Sequence, residues 1–306
     1  MAAKHALLIA NRSSRQGRTD LSGAVERLTG AGWQVEQVQP RGRAAAAEQI
    51  RTAAVRHDCV ILAGGDGTLH HAIEPLLHSG LPLGILPLGT ANDLARSLAL
   101  PRDPLAAAEV IAAGLTHRVD LGCVNGCYFF NAASIGLGVA VTRELSRGGG
   151  KRRWGVFSYA RALLKVIGRR RGFGVQIQTE AGAERLRSLQ VTVGNGRYYG
   201  GGMTMTRNAR VDDGRLFLYS IEPQSPWRLL RLLPALRSGE QGDYPGVIVR
   251  CGQRLRVQTS RPMKITADGE FCARTPADFQ VKPAAIPVFV PSAYAECLAG
   301  RRHDTQ

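Results

Sequence analysis

The stretch Cys-Val-Ile-Leu-Ala-Gly-Gly-Asp-Gly-Thr-Leu, residues 59–69, constrains this chain more than any other. Val60 to Ala63 is a short apolar run that ends at glycine, which reads as a buried strand. It passes straight into Gly64-Gly65-Asp66-Gly67, and Thr68 then opens an apolar-periodic helix. Glycines allow a sharp turn and let bare backbone N–H groups come close to a ligand. A helix start directs its positive end at the same place. Strand, glycine turn and helix in that order suit a phosphate. Asp66 adds a carboxylate that could hold a metal ion beside the phosphates or belong to the network that positions one. The same turn also serves as a plain structural corner, so this stretch alone does not decide.

A second stretch repeats the arrangement. Leu83 to Leu86 is another apolar run, followed by Pro87-Leu88-Gly89-Thr90-Ala91-Asn92-Asp93. Around the two, residues 1–122 alternate strand candidates (6–10, 34–38, 59–63, 83–86, 118–122) with helix candidates near 20–30, 44–57, 68–78, 90–98 and 103–113. Such alternation indicates a parallel sheet with helices on its faces. Ligands bind beyond the carboxyl ends of the strands in such sheets. Both glycine loops, and Asn11 after the first strand, belong on that edge.

From about residue 123 the pattern changes. Residues 127–133, 173–179, 186–195, 216–221, 247–250, 254–259, 263–267 and 279–282 read as strands, several joined by short Gly or Asp turns. Residues 123–285 therefore read as a mainly antiparallel β domain. The tail, 286–306, holds a short strand at Val288-Phe289-Val290 and a small helix.

Charge narrows the partners. The 306 residues carry 40 Lys+Arg against 24 Asp+Glu, a net charge of +16. That balance favours polyanions: nucleic acid, an anionic membrane surface or nucleotide phosphates. A merely solubilising surface is the plainer alternative. No apolar run approaches the ~18 residues that span a bilayer, and the N-terminus lacks a cleavable signal pattern, so a cytoplasmic protein is expected. The six cysteines are scattered without a Cys-x-x-Cys pair, so neither a zinc site nor disulfides are expected.

The two loops together resemble the diacylglycerol kinase catalytic-domain family, in particular its soluble bacterial lipid kinases. Gly-Gly-Asp-Gly-Thr is shared with NAD kinases and, more loosely, phosphofructokinases; Pro-Leu-Gly-Thr-Ala-Asn-Asp is more particular to the lipid kinases. The resemblance extends to Asp120, Asp212-Asp213-Gly214 and Asp268-Gly269-Glu270, and so covers almost the whole chain. It implies an α/β nucleotide-binding domain (1–122) with a parallel sheet, a β-sandwich lipid-substrate domain (123–285), and a tail that packs back on the first domain. It implies that ATP is held by Asn11, Gly64, Gly65, Asp66, Gly67, Thr68, Gly89, Thr90 and Asn92. Asp66, Asp93 and Asp120 would form a network ordering a Mg²⁺ on the phosphates, partly through water, as suits an ion that keeps several waters. Glu270 would be the general base for the acceptor hydroxyl. Asp213 with the backbone carbonyls of Arg210 and Arg215 would hold a second, structural Mg²⁺.

Plainer readings stand beside these. Asp93 can be a carboxylate at a helix start, Asp120 a strand-end turn residue, and Asp268-Gly269 and Asp213-Gly214 tight turns. Departures from the family pattern are Asn11-Arg12-Ser13, which lacks the expected proline, and His70, where asparagine is usual. Asn195-Gly-x-x-x-Gly-Gly-Gly matches a family signature that serves either lipid approach or a loop. Two basic amphipathic segments, 151–171 and Trp227-Arg228-Leu229-Leu230-Arg231-Leu232-Leu233, suit an anionic bilayer or a helix packed on the β domain with solvated arginines. The function expected is ATP- and Mg²⁺-dependent phosphoryl transfer to a lipid hydroxyl, diacylglycerol first, with phosphatidylglycerol or a sphingoid base behind it. The protein would sit peripherally on the inner face of the membrane; a homodimer is compatible, and no specific nucleic acid is expected. The rivals are a kinase of NAD or a soluble polyol, and a nucleic-acid-binding relic of a kinase fold.

Overall fold

The computed structural model describes residues 4–10, 20–137 and 172–296. Asn11 and the basic segment 151–171 lie outside the described residues. The chain divides into two compact units, Met1–Leu121 with Pro283–Gln306, and Gly122–Lys282.

The first unit alternates strand and helix: β1 (Lys4–Ala10), α1 (Ser22–Gly30), β2 (Trp33–Val38), α2 (Arg43–Thr52), β3 (Cys59–Gly64), α3 (Asp66–Ser79), β4 (Leu83–Pro87), α4 (Asp93–Ser97), α5 (Pro104–Ala113) and β5 (Thr116–Val124). The strands run parallel in the order β2-β1-β3-β4. Val288, near the chain's last strand end, continues the parallel order beside Leu83. Every residue of β3 and β4 is buried. A central parallel strand is covered on both faces, which is why these segments read as unbroken apolar runs rather than alternating ones. On one face Leu8, Ile61 and Leu86 pack with Leu28 of α1 and with Ala107, Ala108 and Ile111 of α5. After β1 the chain goes to one edge for β2, then returns to β3 on the other side of β1. That reversal is a topological switch point, the place where open α/β sheets bind ligands.

The second unit comprises β6 (Cys127–Phe129), β7 (Ala132–Gly136), β8 (Phe173–Thr179), β9 (Gly182–Ser188), β10 (Gln190–Gly194), β11 (Tyr198–Tyr199), β12 (Met203–Thr204), β13 (Leu216–Ile221), α6 (Pro226–Ser238), β14 (Val247–Gly252), β15 (Arg254–Thr259), β16 (Lys264–Ala267), β17 (Glu270–Arg274) and the start of β18 (Ala277–Phe289). One sheet has the order β14-β13-β10-β7-β16-β17, with every pair antiparallel. A second layer pairs β18 with β15, β15 with β8 and β8 with β9, again antiparallel. Strand alternation divides β13 between two cores. Leu216 and Leu218 meet Val175, Ile177, Leu255, Val257 and Phe279 of the second layer. Tyr219 and Ile221 point the other way, under Leu229, Leu232 and Leu236 of α6. The fold is thus an N-terminal α/β domain with a mainly parallel sheet and a C-terminal antiparallel β-sandwich.

Several elements differ from the sequence reading. The segments expected at 279–282 and 288–290 are one strand, β18, which begins in the second unit and ends in the first. The segment expected at 127–133 is two strands, interrupted at Phe130-Asn131. Asp120 lies within β5 rather than at its end. The helix expected from about residue 90 starts only at Asp93, because Asn92 is left-handed (φ 51°, ψ 48°) and cannot continue a helix backwards. Against the expectation of no disulfides, Cys127 and Cys272 are joined.

Candidate active site

The two glycine loops interlock. β3 and β4 are in register up to Gly64 beside Pro87, and the Leu88 N–H donates to the Gly64 carbonyl at 2.9 Å. Immediately beyond, Gly65 and Gly89 touch back to back: a Cβ on Gly65 would lie 2.8 Å from Gly89 Cα, and one on Gly89 would lie 2.6 Å from Gly65 Cα. Neither glycine has a positive φ. What the position requires is the absent side chain, not left-handed freedom. Gly64 is covered by the Thr68 side chain, whose Cβ would be 2.7 Å from an added methyl. Gly67 and Thr90 are exposed on these loops, and Gly67 faces open space.

The side chains then tie the loops together. Asp66 Oδ1 accepts the Asp93 N–H at 2.8 Å and the Leu94 N–H at 3.5 Å. The first residue of α3 thereby caps α4. Asn92 closes its own loop: its Oδ1 accepts the Gly89 N–H and its Nδ2 donates to the Gly89 carbonyl, both at 2.9 Å. Gly65, at the N-terminus of α3, has no side-chain cap, so the helix presents its first N–H groups at the switch point, a disposition suited to an anion. Asp93 is buried. Asp120 is buried as well, and its Oδ1 accepts the Ala284 N–H at 2.7 Å. Arg118 donates to the Ala284 carbonyl at 2.7 Å. The structure thus brings Asp66 and Asp93 together and ties Asp120 to the chain at residue 284. Among the described residues, no three His, Cys, Asp or Glu side chains gather as a metal site. A hard ion here would be completed by phosphate and water oxygens, and the Asp66 and Asp93 carboxylates fit that donor chemistry. His70 and His71 pack their rings edge to face at 5.3 Å.

In the second unit, Asp268 and Gly269 both take positive φ (47° and 91°) between β16 and β17, the geometry of a tight two-residue hairpin. Glu270 is the next residue, half-buried at the start of β17. The turn is clamped from below. Asp268 accepts N–H groups from Phe130 (2.9 Å), Asn131 (2.9 Å) and Ala132 (3.1 Å). Asn195 holds the same segment from the other side, donating its Nδ2 to the Phe130 carbonyl at 3.0 Å and its N–H to the Asn131 carbonyl at 2.8 Å. The clamp is what sequence reasoning missed: Asp268 was legible as a turn residue, and nothing local marked residues 130–132 as its partner. Gly200, Gly201 and Gly202 are all left-handed, with φ between 58° and 98°, so the glycine signature after Asn195 makes the turn between β11 and β12.

Arg210, Asp213 and Arg215 share one turn. Asp213 accepts the Arg210 N–H at 3.0 Å and the Arg215 N–H at 2.9 Å, and the Arg210 guanidinium forks onto Asp212 at 2.8 Å. These are the contacts of an Asp-Gly turn with Gly214 left-handed (φ 68°).

A parallel α/β unit with interlocked glycine loops at its switch point, followed by a β-sandwich, defines a two-domain phosphate-handling protein. Residues 5–124 match the profile of the diacylglycerol kinase catalytic domain, and residues 132–290 match the YegS C-terminal NAD kinase beta sandwich-like domain. The chain belongs to the diacylglycerol kinase family. It is 32% identical over 280 residues to a diacylglycerol kinase of Mycobacterium tuberculosis strain H37Rv, covering 88% of this chain and 89% of the relative. It is 27% identical over 294 residues to a diacylglycerol kinase of Staphylococcus aureus strain MRSA252, covering 94% and 93%. A crystal structure of a diacylglycerol kinase from Bacillus anthracis strain Sterne superposes with a TM-score of 0.76 at 21% identity, covering 95% of this chain and 98% of that one. Another from the same organism gives 0.81 at 24% identity, covering 95% and 96%. At those identities the structural likeness bears on the fold alone.

Proposed function

We propose that this chain is an ATP- and Mg²⁺-dependent lipid kinase that transfers the γ-phosphate to the free hydroxyl of diacylglycerol, giving phosphatidic acid. The observation that carries this reading is the interlocked pair of loops at the switch point, with Asp66 joined to the start of α4. Phosphoryl transfer needs positioned donors and neutralised charge more than covalent chemistry. The first unit supplies the donors in the loops Gly64–Thr68 and Gly89–Asn92, to which the family resemblance adds Asn11; in this reading it is the nucleotide-binding domain. In this reading Asp66, Asp93 and Asp120 would form the network that holds a magnesium ion, partly through water, and the ion would supply charge neutralisation on the phosphate oxygens. The sandwich binds the lipid, and Glu270, carried on a clamped turn, takes the proton from the acceptor hydroxyl. Arg210, Asp213 and Arg215 form a turn that a second magnesium ion would occupy through the Asp213 carboxylate and the two backbone carbonyls. The protein works at an anionic membrane surface; no helix of the described residues is long and apolar enough to cross a membrane.

The test is transfer of labelled γ-phosphate from ATP to a panel of diacylglycerol, phosphatidylglycerol, sphingoid base, NAD and glycerol in mixed micelles. Wild type should label diacylglycerol. Asp66→Asn should label nothing, and Glu270→Gln should lose about 10²–10⁴ in turnover with ATP still bound. Labelling of a soluble acceptor alone would replace the lipid reading. Glu270→Gln with normal turnover would remove the base.

A further inference from the structure

Helix α6 presents two unlike faces. Leu229, Leu232 and Leu236 are buried against Tyr219, Ile221 and Val247 of the sandwich. The leucine face that looked able to lie on a bilayer is therefore occupied inside the protein. At ~100° per residue the opposite side of the helix is Trp227, Arg231 and Pro234, flanked by Arg228 and Arg237. Trp227 is 76% exposed, and all three arginines are exposed. Their guanidinium groups are in no ion pair among the described residues, whereas others, such as Arg27 and Arg250, are paired with glutamates; several arginines elsewhere on the surface are likewise in no ion pair among the described residues. The helix contains no acidic residue. Glu240, just past its end, is already paired with Arg207.

A large exposed indole is costly in water unless something covers it, and tryptophan is the side chain most at home at a membrane–water boundary. Three unpaired arginines around it call for an anion. Their rigid attachment through the leucines keeps the face preformed, so little ordering accompanies docking. We propose that this outward face of α6 docks the protein on an anionic phospholipid bilayer, the indole entering the headgroup layer and Arg228 and Arg231 meeting lipid phosphates. The choice of a bilayer over another polyanion rests on the lipid-kinase reading; the tryptophan and the unpaired arginines do not.

The test is flotation of the full chain with vesicles of equimolar phosphatidylglycerol and phosphatidylcholine, and with phosphatidylcholine alone. Wild type should float with the anionic vesicles only. Arg228→Gln with Arg231→Gln should weaken binding roughly thirtyfold, at about fivefold per arginine. Trp227→Ala should weaken it as well and reduce the vesicle-induced blue shift of tryptophan emission. Because these side chains are exposed, all variants should keep the wild-type melting temperature and should phosphorylate short-chain diacylglycerol in detergent micelles at the wild-type rate. Equal flotation of wild type and variants would overturn the docking face while leaving the kinase reading intact. Loss of flotation in the variants, with no kinase activity in wild type, would do the reverse. Binding of duplex DNA, or self-association, that depends on these residues in a protein that ignores anionic vesicles would also overturn the proposal.

Discussion

Replacing Gly65 by alanine tests the interlock of the two loops. Gly65 lies at φ −109°, which alanine adopts without strain, so the effect is steric. The added methyl would sit 2.8 Å from Gly89 Cα and 3.5 Å from Gly89 N. Carbon atoms at rest are about 3.5–4.0 Å apart, so the loops must part by roughly 0.8 Å. Both neighbours are backbone, and the space is fixed by the Leu88–Gly64 bond and the Asn92–Gly89 pair, each at 2.9 Å. Overpacking of about 1–3 kcal/mol, with one of those bonds stretched at about 1 kcal/mol, gives a loss of about 3 kcal/mol. The assay is urea unfolding followed by circular dichroism, with the midpoint compared at unchanged slope. Gly67→Ala is the control. That residue is helical with nothing within 4 Å of an added methyl, so alanine should stabilise by about 0.5–1 kcal/mol. Gly65→Ala with Gly89→Ala should depart from the sum of the two, because both methyls enter one contact. A Gly65→Ala midpoint equal to wild type would refute the close contact.

Two further outcomes follow from Asp268 and Cys59. Asp268→Ala strips the acceptor from three backbone N–H groups and puts alanine at a left-handed position; it should destabilise by about 3 kcal/mol and lower turnover, with Asp268→Asn between it and wild type in both urea midpoint and rate. Wild-type values for Asp268→Ala would mean the clamp does not hold the Glu270 turn. Burial, with Asp58 acting in the same direction, pushes the Cys59 thiol from 9.0 up to about 12. Between those pH values the unfolded chain releases the proton while the folded chain keeps it, so stability present below pH ~9 is lost as pH rises, by on the order of 4 kcal/mol in all. Urea midpoints measured upward from pH ~8 should fall faster for wild type than for Cys59→Ala; parallel curves would show that Cys59 does not carry the alkaline loss.

The sequence was most legible where burial is complete. β3 and β4 are covered on both faces, so their apolar runs had no other reading, and the glycine loops followed at their ends. Legibility fell where a residue's role depends on a distant partner. β18 carries Lys282-Pro283-Ala284-Ala285 at its middle, with Ala284 at φ 47°. That irregular stretch split the strand in two on inspection, while Asp120 and Arg118 of β5 hold it in place across a long sequence separation. The leucines of α6 form a periodic face that suits a bilayer or the β domain alike; only the sandwich decides that they are covered.

Four acidic residues of the motifs share a property that bears on experiments with them. Asp66 accepts the Asp93 N–H, Asp120 accepts the Ala284 N–H, Asp213 accepts those of Arg210 and Arg215, and Asp268 accepts three. Each carboxylate fastens backbone to backbone, so an alanine variant removes a fastening as well as a charge. Loss of activity in Asp66→Ala would therefore fit a purely structural residue as well as a phosphate-side one. Asparagine keeps an oxygen in the place that receives the Asp93 N–H and removes the negative charge. An Asp66→Asn protein with the wild-type urea midpoint and no transfer would assign the carboxylate to charge chemistry; one with lowered midpoint and lowered transfer in proportion would assign it to the fastening of α4. The distinction follows from the 2.8 Å bond between the Asp93 N–H and Asp66 Oδ1, and it is why the charge-only substitution is the informative one in the transfer assay.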